Sequence, residues 1–430
     1  MQEDISKKQL LTTMLRQVAS EGDLANLDIE AVATESAAAG ADDTILLESV
    51  GSGLEAVQKN REIRVDEQFA LEAIVMPRFR PVVDIVGDNF ARPPEPWKHL
   101  GSGKAKRNLV AALPSIGRIE LPDHPSIPFG GTGFVVGEGL IMTNRHVAEL
   151  FATGVGVQGL NFIPNSKAGV DFGQEVTPRD SLFVTVNKIV MMHPHWDMAL
   201  LQVSGLGAAQ SPLVLSTTPP EKLLDRDIAV VGYPAQDRRN DFELQMKIFN
   251  KTFDVKRLQP GKIRKREKIT DHFQNSVFTV THDASTLGGN SGSAVIDVQT
   301  GQVVGLHFGG RYLVANYAVP TFELARDNQV VDAGVNFAAA VTPSKELDDK
   351  WSEADVTEAQ VDGDNSNSIS TTTLNPVGHV SGGTATWTLP ISISVSVGAP
   401  AVTASVCLAS PQEEGTPSAT GDSETDSKPT

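Results

Sequence analysis

Cysteine is almost missing from this chain. Cys407 is the only one in 430 residues, which excludes an intramolecular disulfide and any all-cysteine metal site. Long apolar runs are missing too. No stretch reaches the roughly 18 apolar residues that a membrane-spanning helix needs. The opening MQEDISKKQLLTTMLRQVAS never becomes an apolar h-region, so no secretory leader is expected there. Basic charge is scarce: 36 Lys and Arg stand against 53 Asp and Glu, a net charge of -17. That balance argues against a general nucleic-acid binder or a basic membrane-surface protein. The expectation is a soluble cytoplasmic protein suited to a reducing compartment, with no membrane contact and no nucleic-acid partner.

What remains is ample for a core. Hydrophobic residues make up 40% and charged residues 21%, and the length fits two or three domains rather than one. Charge is unevenly spread. Residues 1–100 hold 10 basic and 18 acidic side chains, 101–345 hold 24 and 22, and 346–430 hold 2 and 13. A near-neutral centre between acidic arms predicts regions with different tasks. Residues 1–75 read as a helical N-terminal extension, with Leu10, Leu11, Met14 and Val18 on one stripe. Residues 76–100 read as a lead-in, RPVVDIVGDNF forming a strand and turn, followed by a linker marked by Pro93, Pro94 and Pro96. Residues 346–410 form a short β-containing extension in which 385–397 alternates as one strand or two, with Pro390 at an edge. Residues 411–430 are polar and acidic and read as disordered.

The centre, 101–345, is β. Apolar runs of 5–8 residues recur between Gly, Pro and Asn: GTGFVVGEGLIMTN, SLFVTVNKIVMM, DMALLQV, DIAVVGYP, SVFTVT, GSAVIDV and QVVGLHFGG. Turn-separated runs at this spacing predict an all-β sandwich or barrel rather than βαβ units. Three segments among them carry chemistry. The first, Met142 to Ala148, is MTNRHVA; the second opens at Asp197 in WDMALL; the third, Thr286 to Val295, is TLGGNSGSAV. A serine hydroxyl needs a neighbouring base, an orienting group for that base and N–H donors for the developing oxyanion. Taken singly, each of these residues reads as a turn. Taken in this order and context, His146, Asp197 and Ser291 supply a catalytic set.

These motifs resemble the chymotrypsin-fold serine peptidases. The nearest branch is bacterial and free of disulfides, including high-temperature-requirement proteases and glutamyl endopeptidases. The resemblance covers roughly 130–320 and implies two antiparallel β-barrels. By it, His146 is the general base, Asp197 its orienter and Ser291 the nucleophile, with the N–H groups of Gly289 and Ser291 as the oxyanion hole. The stretch from Arg78 to His146 and the later NYAVP also resemble bacterial trypsin-like modules that are sometimes fused to nucleases, yet no nuclease motif is present. Asn290 stands where zymogen-activated relatives carry Asp, so activation by a freed N-terminal amine is not expected. No metal or organic cofactor is implied.

The resemblance also touches specificity. His307 in GLHFGG, with Thr286 five residues before the nucleophile, matches the glutamyl endopeptidase context for reading an acidic P1 side chain, and viral relatives use a similar His to read Gln. Ser285, six residues before Ser291, offers no counter-ion for Lys or Arg. Cleavage after Glu or Gln is expected, against the plain reading of His307 as a core histidine. Other readings stay open at this point. His193 and His195 with Asp197 admit a zinc site. The basic run KIRKREK, 262–268, admits a solvated hairpin, an acidic substrate or arm, or nucleic acid. The whole could also be a protease-shaped adaptor that recruits partners through its extensions. The expected partners are a protein or peptide substrate and a partner protein held by the N-terminal helical extension.

Overall fold

The computed structural model describes residues 80–354, apart from 178, 180–181, 238–241 and 312–314, together with a few residues between 52 and 64 and the backbone of four strands between 377 and 408. Apart from those few residues between 52 and 64, the expected helical extension lies outside the described residues, as does the acidic tail. The chain divides into two units, Met1–Gly363 and Asp364–Thr430. No helix among the described residues is long and apolar enough to cross a membrane.

Strand β1 (Val83–Asp84) precedes helix α1 (Gly103–Ala112). Then follow β2 (Ile116–Glu120), β3 (Phe129–Gly137), β4 (Leu140–Thr143), the small pair β5 (Ala152–Thr153) and β6 (Asn161–Phe162), β7 (Gly169–Asp171), β8 (Phe183–Met192) and β9 (Ala199–Val203). The order β2-β3-β4-β9-β8-β7 closes into an antiparallel barrel. The second half contains β10 (Asp227–Gly232), β11 (Arg257–Thr270), β12 (Ser276–His282), β13 (Ala294–Asp297), β14 (Val303–Arg311) and β15 (Ala315–Pro320). Their order is β11-β10-β13-β14-β15-β12, and β12 pairs back onto β11, while β1 adds at the outer side of β11. In the second unit, β16 (Val377–Ser381) pairs with β17 (Thr384–Thr388), and β18 (Ile391–Gly398) with β19 (Ala401–Leu408). The alternating stretch 385–397 is thus two strands.

Strands β3, β4, β10 and β13 read as continuous apolar runs because both their faces are buried. Successive side chains point to opposite faces of a strand. Val135, Ile141 and Leu201 gather with Val170 and Val184 in the core of the first barrel. Ile228, Val230, Val295 and Val304 do the same in the second. The intervening residues Phe134, Met142 and Leu200 meet Ala229, Val231, Ala294 and Ile296 in a third cluster shared by both barrels. The two barrels are thereby packed on each other by the same strands that build their interiors.

The lead-in belongs to this shared cluster. Trp97, Leu100 and Leu109 are buried in it, and Trp97 is only 1% exposed. Arg80, equally buried, pairs with Asp283 and lies over the Trp97 ring. The basic run 262–268 is the outer part of β11, one arm of its hairpin with β12. Arg264 pairs with Asp283, Arg266 with Glu221 and Glu323, and Lys265 with Glu267. Another cation, Lys256, is buried. Its Nζ donates to Leu113 O at 2.9 Å and Phe172 O at 3.1 Å, and burial pulls its pKa down to about 8.

Truncating Trp97 should therefore act as a core deletion despite its position outside both barrels. Trp97→Ala is expected to lower the unfolding free energy by about 3–5 kcal/mol in urea titrations. A loss within experimental error would show that the lead-in is not part of the folded body.

Candidate active site

The ladder between β4 and β9 brings the first two candidate residues together. Thr143 pairs with Ala199, so the chain leaving β4 and the chain entering β9 run side by side. The short helix α2 (Arg145–Ala148) starts directly after β4, with Asn144 in an extended conformation ahead of it. His146 sits in that turn. Asp197 is 2% exposed and holds His146 twice: Oδ2 lies 2.7 Å from Nδ1, and Oδ1 accepts the backbone N–H at 3.0 Å. The Asn144 amide donates to Asp197 O at 2.8 Å and fixes the acid in turn. A carboxylate can only accept, so Nδ1 carries the proton and Nε2 is left with its lone pair. The His146 ring stays partly exposed.

Ser291 lies in the loop between β12 and β13. Two successive tight turns shape it, Asn290 N to Leu287 O and Ser293 N to Asn290 O. Gly289 and Gly292 have φ values of +81° and +86°, the left-handed region that favours glycine. They also lack space: a Cβ would fall 2.3 Å from Tyr233 O at Gly289 and 1.9 Å from Thr132 O at Gly292. Asn290 is fully buried, and its Oδ1 accepts from Gln259 Nε2 at 3.3 Å.

The orientation of two peptide groups here matters for chemistry. Gly288 O accepts from Ala235 N at 2.6 Å, and Asn290 O accepts from Ser293 N at 2.9 Å. In a trans peptide the N–H points opposite to the carbonyl. The N–H groups of Gly289 and Ser291 therefore point away from those partners, and neither donates to any acceptor among the described residues. Ser291 Oγ makes no hydrogen bond among the described residues and is partly exposed. Beside a serine oxygen, two free backbone donors form a pocket for negative charge.

Thr132 on β3 ties this loop to the first barrel, and no sequence motif pointed to it beyond a polar residue within GTGF. Its N–H donates to Ser291 O and its hydroxyl to Gly289 O, each at 2.8 Å. The hydroxyl also accepts from Tyr233 N at 3.2 Å, and Thr143 Oγ1 donates to Thr132 O at 2.7 Å.

The residues expected to read P1 lie at the β12–β14–β15 end of the second barrel. His307 is 2% exposed, with Nδ1 3.1 Å from His282 Nε2. Burial first, then His282 and His146, hold His307 well below the ordinary imidazole pKa, and burial pulls His282 down to about 4. Both rings are therefore neutral near pH 7. Thr286 donates to Asn316 Oδ1 at 2.7 Å, and Asn316 donates to Ala284 O at 2.6 Å. The partners His282 and Asn316 were not found from sequence. The zinc set His193, His195 and Asp197 is not assembled. His193 Nδ1 accepts the N–H groups of His195 and Trp196, and its Nε2 faces Asp327, which also accepts from Trp351.

Residues 131–306 match the family model described as a trypsin-like peptidase domain. A glutamyl endopeptidase of Staphylococcus epidermidis is 26% identical over 208 residues, covering 45% of this chain and 58% of its own length. A second glutamyl endopeptidase of that species is 26% identical over 196 residues, covering 42% and 54%. The chain thus spans little more than half the length of these relatives. Among solved structures, an M. tuberculosis protease in its active form shares 22% identity over 55% of this chain and 86% of its own, with a TM-score of 0.35. The HtrA-type protease AlgW with a decapeptide shares 16% over 54% and 68%, with a TM-score of 0.36. Residues 131–306 thus carry a trypsin-like peptidase domain on the chymotrypsin-like fold described above.

Proposed function

We propose that this protein is a serine endopeptidase in which Ser291 is the nucleophile, His146 the general base and Asp197 its orienter. The observation that carries this reading is the pair of unengaged N–H groups, at Gly289 and Ser291, beside the Ser291 hydroxyl. Without such donors a serine next to a histidine has no means of stabilising the tetrahedral oxyanion. With them, His146 Nε2 takes the Ser291 Oγ proton as Oγ attacks the peptide carbonyl. The oxyanion receives the two N–H donors, and the imidazolium is stabilised by Asp197. His146 then gives the proton to the leaving amine, and water repeats the sequence to release the acyl group. A hydrogen bond between Ser291 Oγ and His146 Nε2 is expected to form when substrate enters.

The P1 side chain is proposed to be Glu or Gln, with Asp weaker. The relatives named glutamyl endopeptidases favour this, as does the chemistry at His307. A neutral imidazole N–H can donate to a carboxylate or amide oxygen in a dry pocket. Thr286 contributes less than expected, because its proton is engaged by Asn316. His307 is then the principal donor.

Three outcomes test this. Ser291→Ala and His146→Ala should each lower peptide hydrolysis by about 10⁴-fold or more with unchanged melting behaviour, since triad members act as a unit. Hydrolysis by Ser291→Ala at near wild-type rate would refute the nucleophile. Thr132→Val keeps the shape and the N–H but removes the hydroxyl tie to Gly289 O. It should lower kcat by about tenfold or more with little change in KM, a share of what one oxyanion donor contributes. An unchanged kcat would mean that the loop holds its shape without this bond. In a P1 peptide library, wild type should prefer Glu and Gln, and His307→Ala should lose that preference; a profile led by Arg, Lys or large aliphatic residues would exclude it.

A further inference from the structure

His146 has a neighbour that peptide hydrolysis does not use. His272 stands in the turn between β11 and β12, is exposed, and meets the His146 ring edge-on, with centroids 5.4 Å apart and planes at 84°. That turn is held in place. Asp271 Oδ1 accepts the Asn275 N–H at 2.8 Å, and the Asn275 amide donates to His195 O at 3.1 Å, in the loop leading to Asp197. The adjoining Phe273 ring lies under the Arg145 guanidinium, 3.9 Å from its centroid. These contacts bring the hairpin tip of the second barrel onto the His146 side of the first. One donor atom from each of His146, Asp197 and His272 lies within 4.8 Å of the others.

Two imidazoles and one carboxylate suit zinc, copper or nickel, whereas calcium and magnesium prefer oxygen ligands throughout. Zinc bonds of about 2.0–2.1 Å require donors roughly 3.3 Å apart, so the present arrangement must close by up to about 1.5 Å. His272 can supply that movement because it is exposed and turns about its own side-chain bonds. We propose that His146, Asp197 and His272 form an inhibitory site for a divalent transition metal, with zinc as its type. Its inhibitory effect rests on the peptidase reading above; its ability to bind metal does not. The metal either binds His146 Nδ1, whose proton then moves to Nε2, or takes the Nε2 lone pair directly. In both cases His146 can no longer accept and return the Ser291 proton, so metal occupancy and hydrolysis exclude each other. Removing the metal restores the imidazole.

The test has two arms. In the first, zinc chloride is titrated into the full chain and into His272→Ala in chelator-free buffer, following hydrolysis of a Glu or Gln peptide. Wild type should lose activity reversibly, with recovery on adding EDTA. His272→Ala should keep its metal-free rate and need about tenfold more zinc, or higher, for the same loss. In the second, calorimetry follows zinc binding to Ser291→Ala, which keeps all three ligands. One zinc per chain should bind, and adding His272→Ala should weaken it by the same factor. Equal zinc sensitivity with and without His272, or no saturable binding to Ser291→Ala, would overturn the site. A chain without peptidase activity would sink the catalytic reading alone, because calorimetry still decides whether the metal binds.

Discussion

The site depends on a seam between two barrels. His146 and Asp197 come from the first and Ser291 from the second, so their relation is only as good as the contact between the barrels. That contact reaches the site itself through Thr132. Its backbone holds Ser291 O, its hydroxyl holds Gly289 O, and its own carbonyl and hydroxyl are held by Thr143 and Tyr233. The carbonyls on either side of the two candidate oxyanion donors are likewise engaged, by Ala235 and Ser293. Every carbonyl from Gly288 to Ser291 thus has a partner, while the N–H groups of Gly289 and Ser291 have none among the described residues. Such preorganised dipoles need little rearrangement when charge develops.

Packing explains why the seam can be this exact. The strands that fill each barrel also present their other faces to the shared cluster, so a register slip in β3 or β13 would disturb both layers at once. Trp97 and α1 extend that cluster beyond the barrels. Arg80 carries the lead-in to Asp283, at the start of the Ser291 loop, and Ser285 donates to Arg80 O at 2.8 Å. Residues far from Ser291 in sequence thereby help set its loop.

Much of this was legible in the sequence, for a physical reason. Apolar runs bounded by Gly and Pro mark strands with one or both faces buried, so β3, β4, β8, β9, β10, β12, β13 and β14 were found from their runs. The glycines at 289 and 292 announced the sharp loop because no side chain fits there. Strand β11 was obscured because its outer half carries alternating charges that pair with neighbouring acids instead of packing apolar atoms. Helix α1 was missed inside a β region because only Leu109 and Ala112 of its face are buried. Contacts such as Thr132 to Gly289, His282 to His307 and His272 to His146 join residues 25 to 157 positions apart. Only a folded chain brings them together, and none of them leaves a local pattern.

The central claim is that Ser291 is a nucleophile backed by a ready oxyanion pocket. The most direct measurement is reaction of the full chain with a fluorophosphonate, followed by mass mapping of the adduct. The account predicts one adduct per native chain, on Ser291, and none after unfolding, because a serine without its base and donors is inert. An unmodified native protein, or an adduct on a different serine, would contradict it.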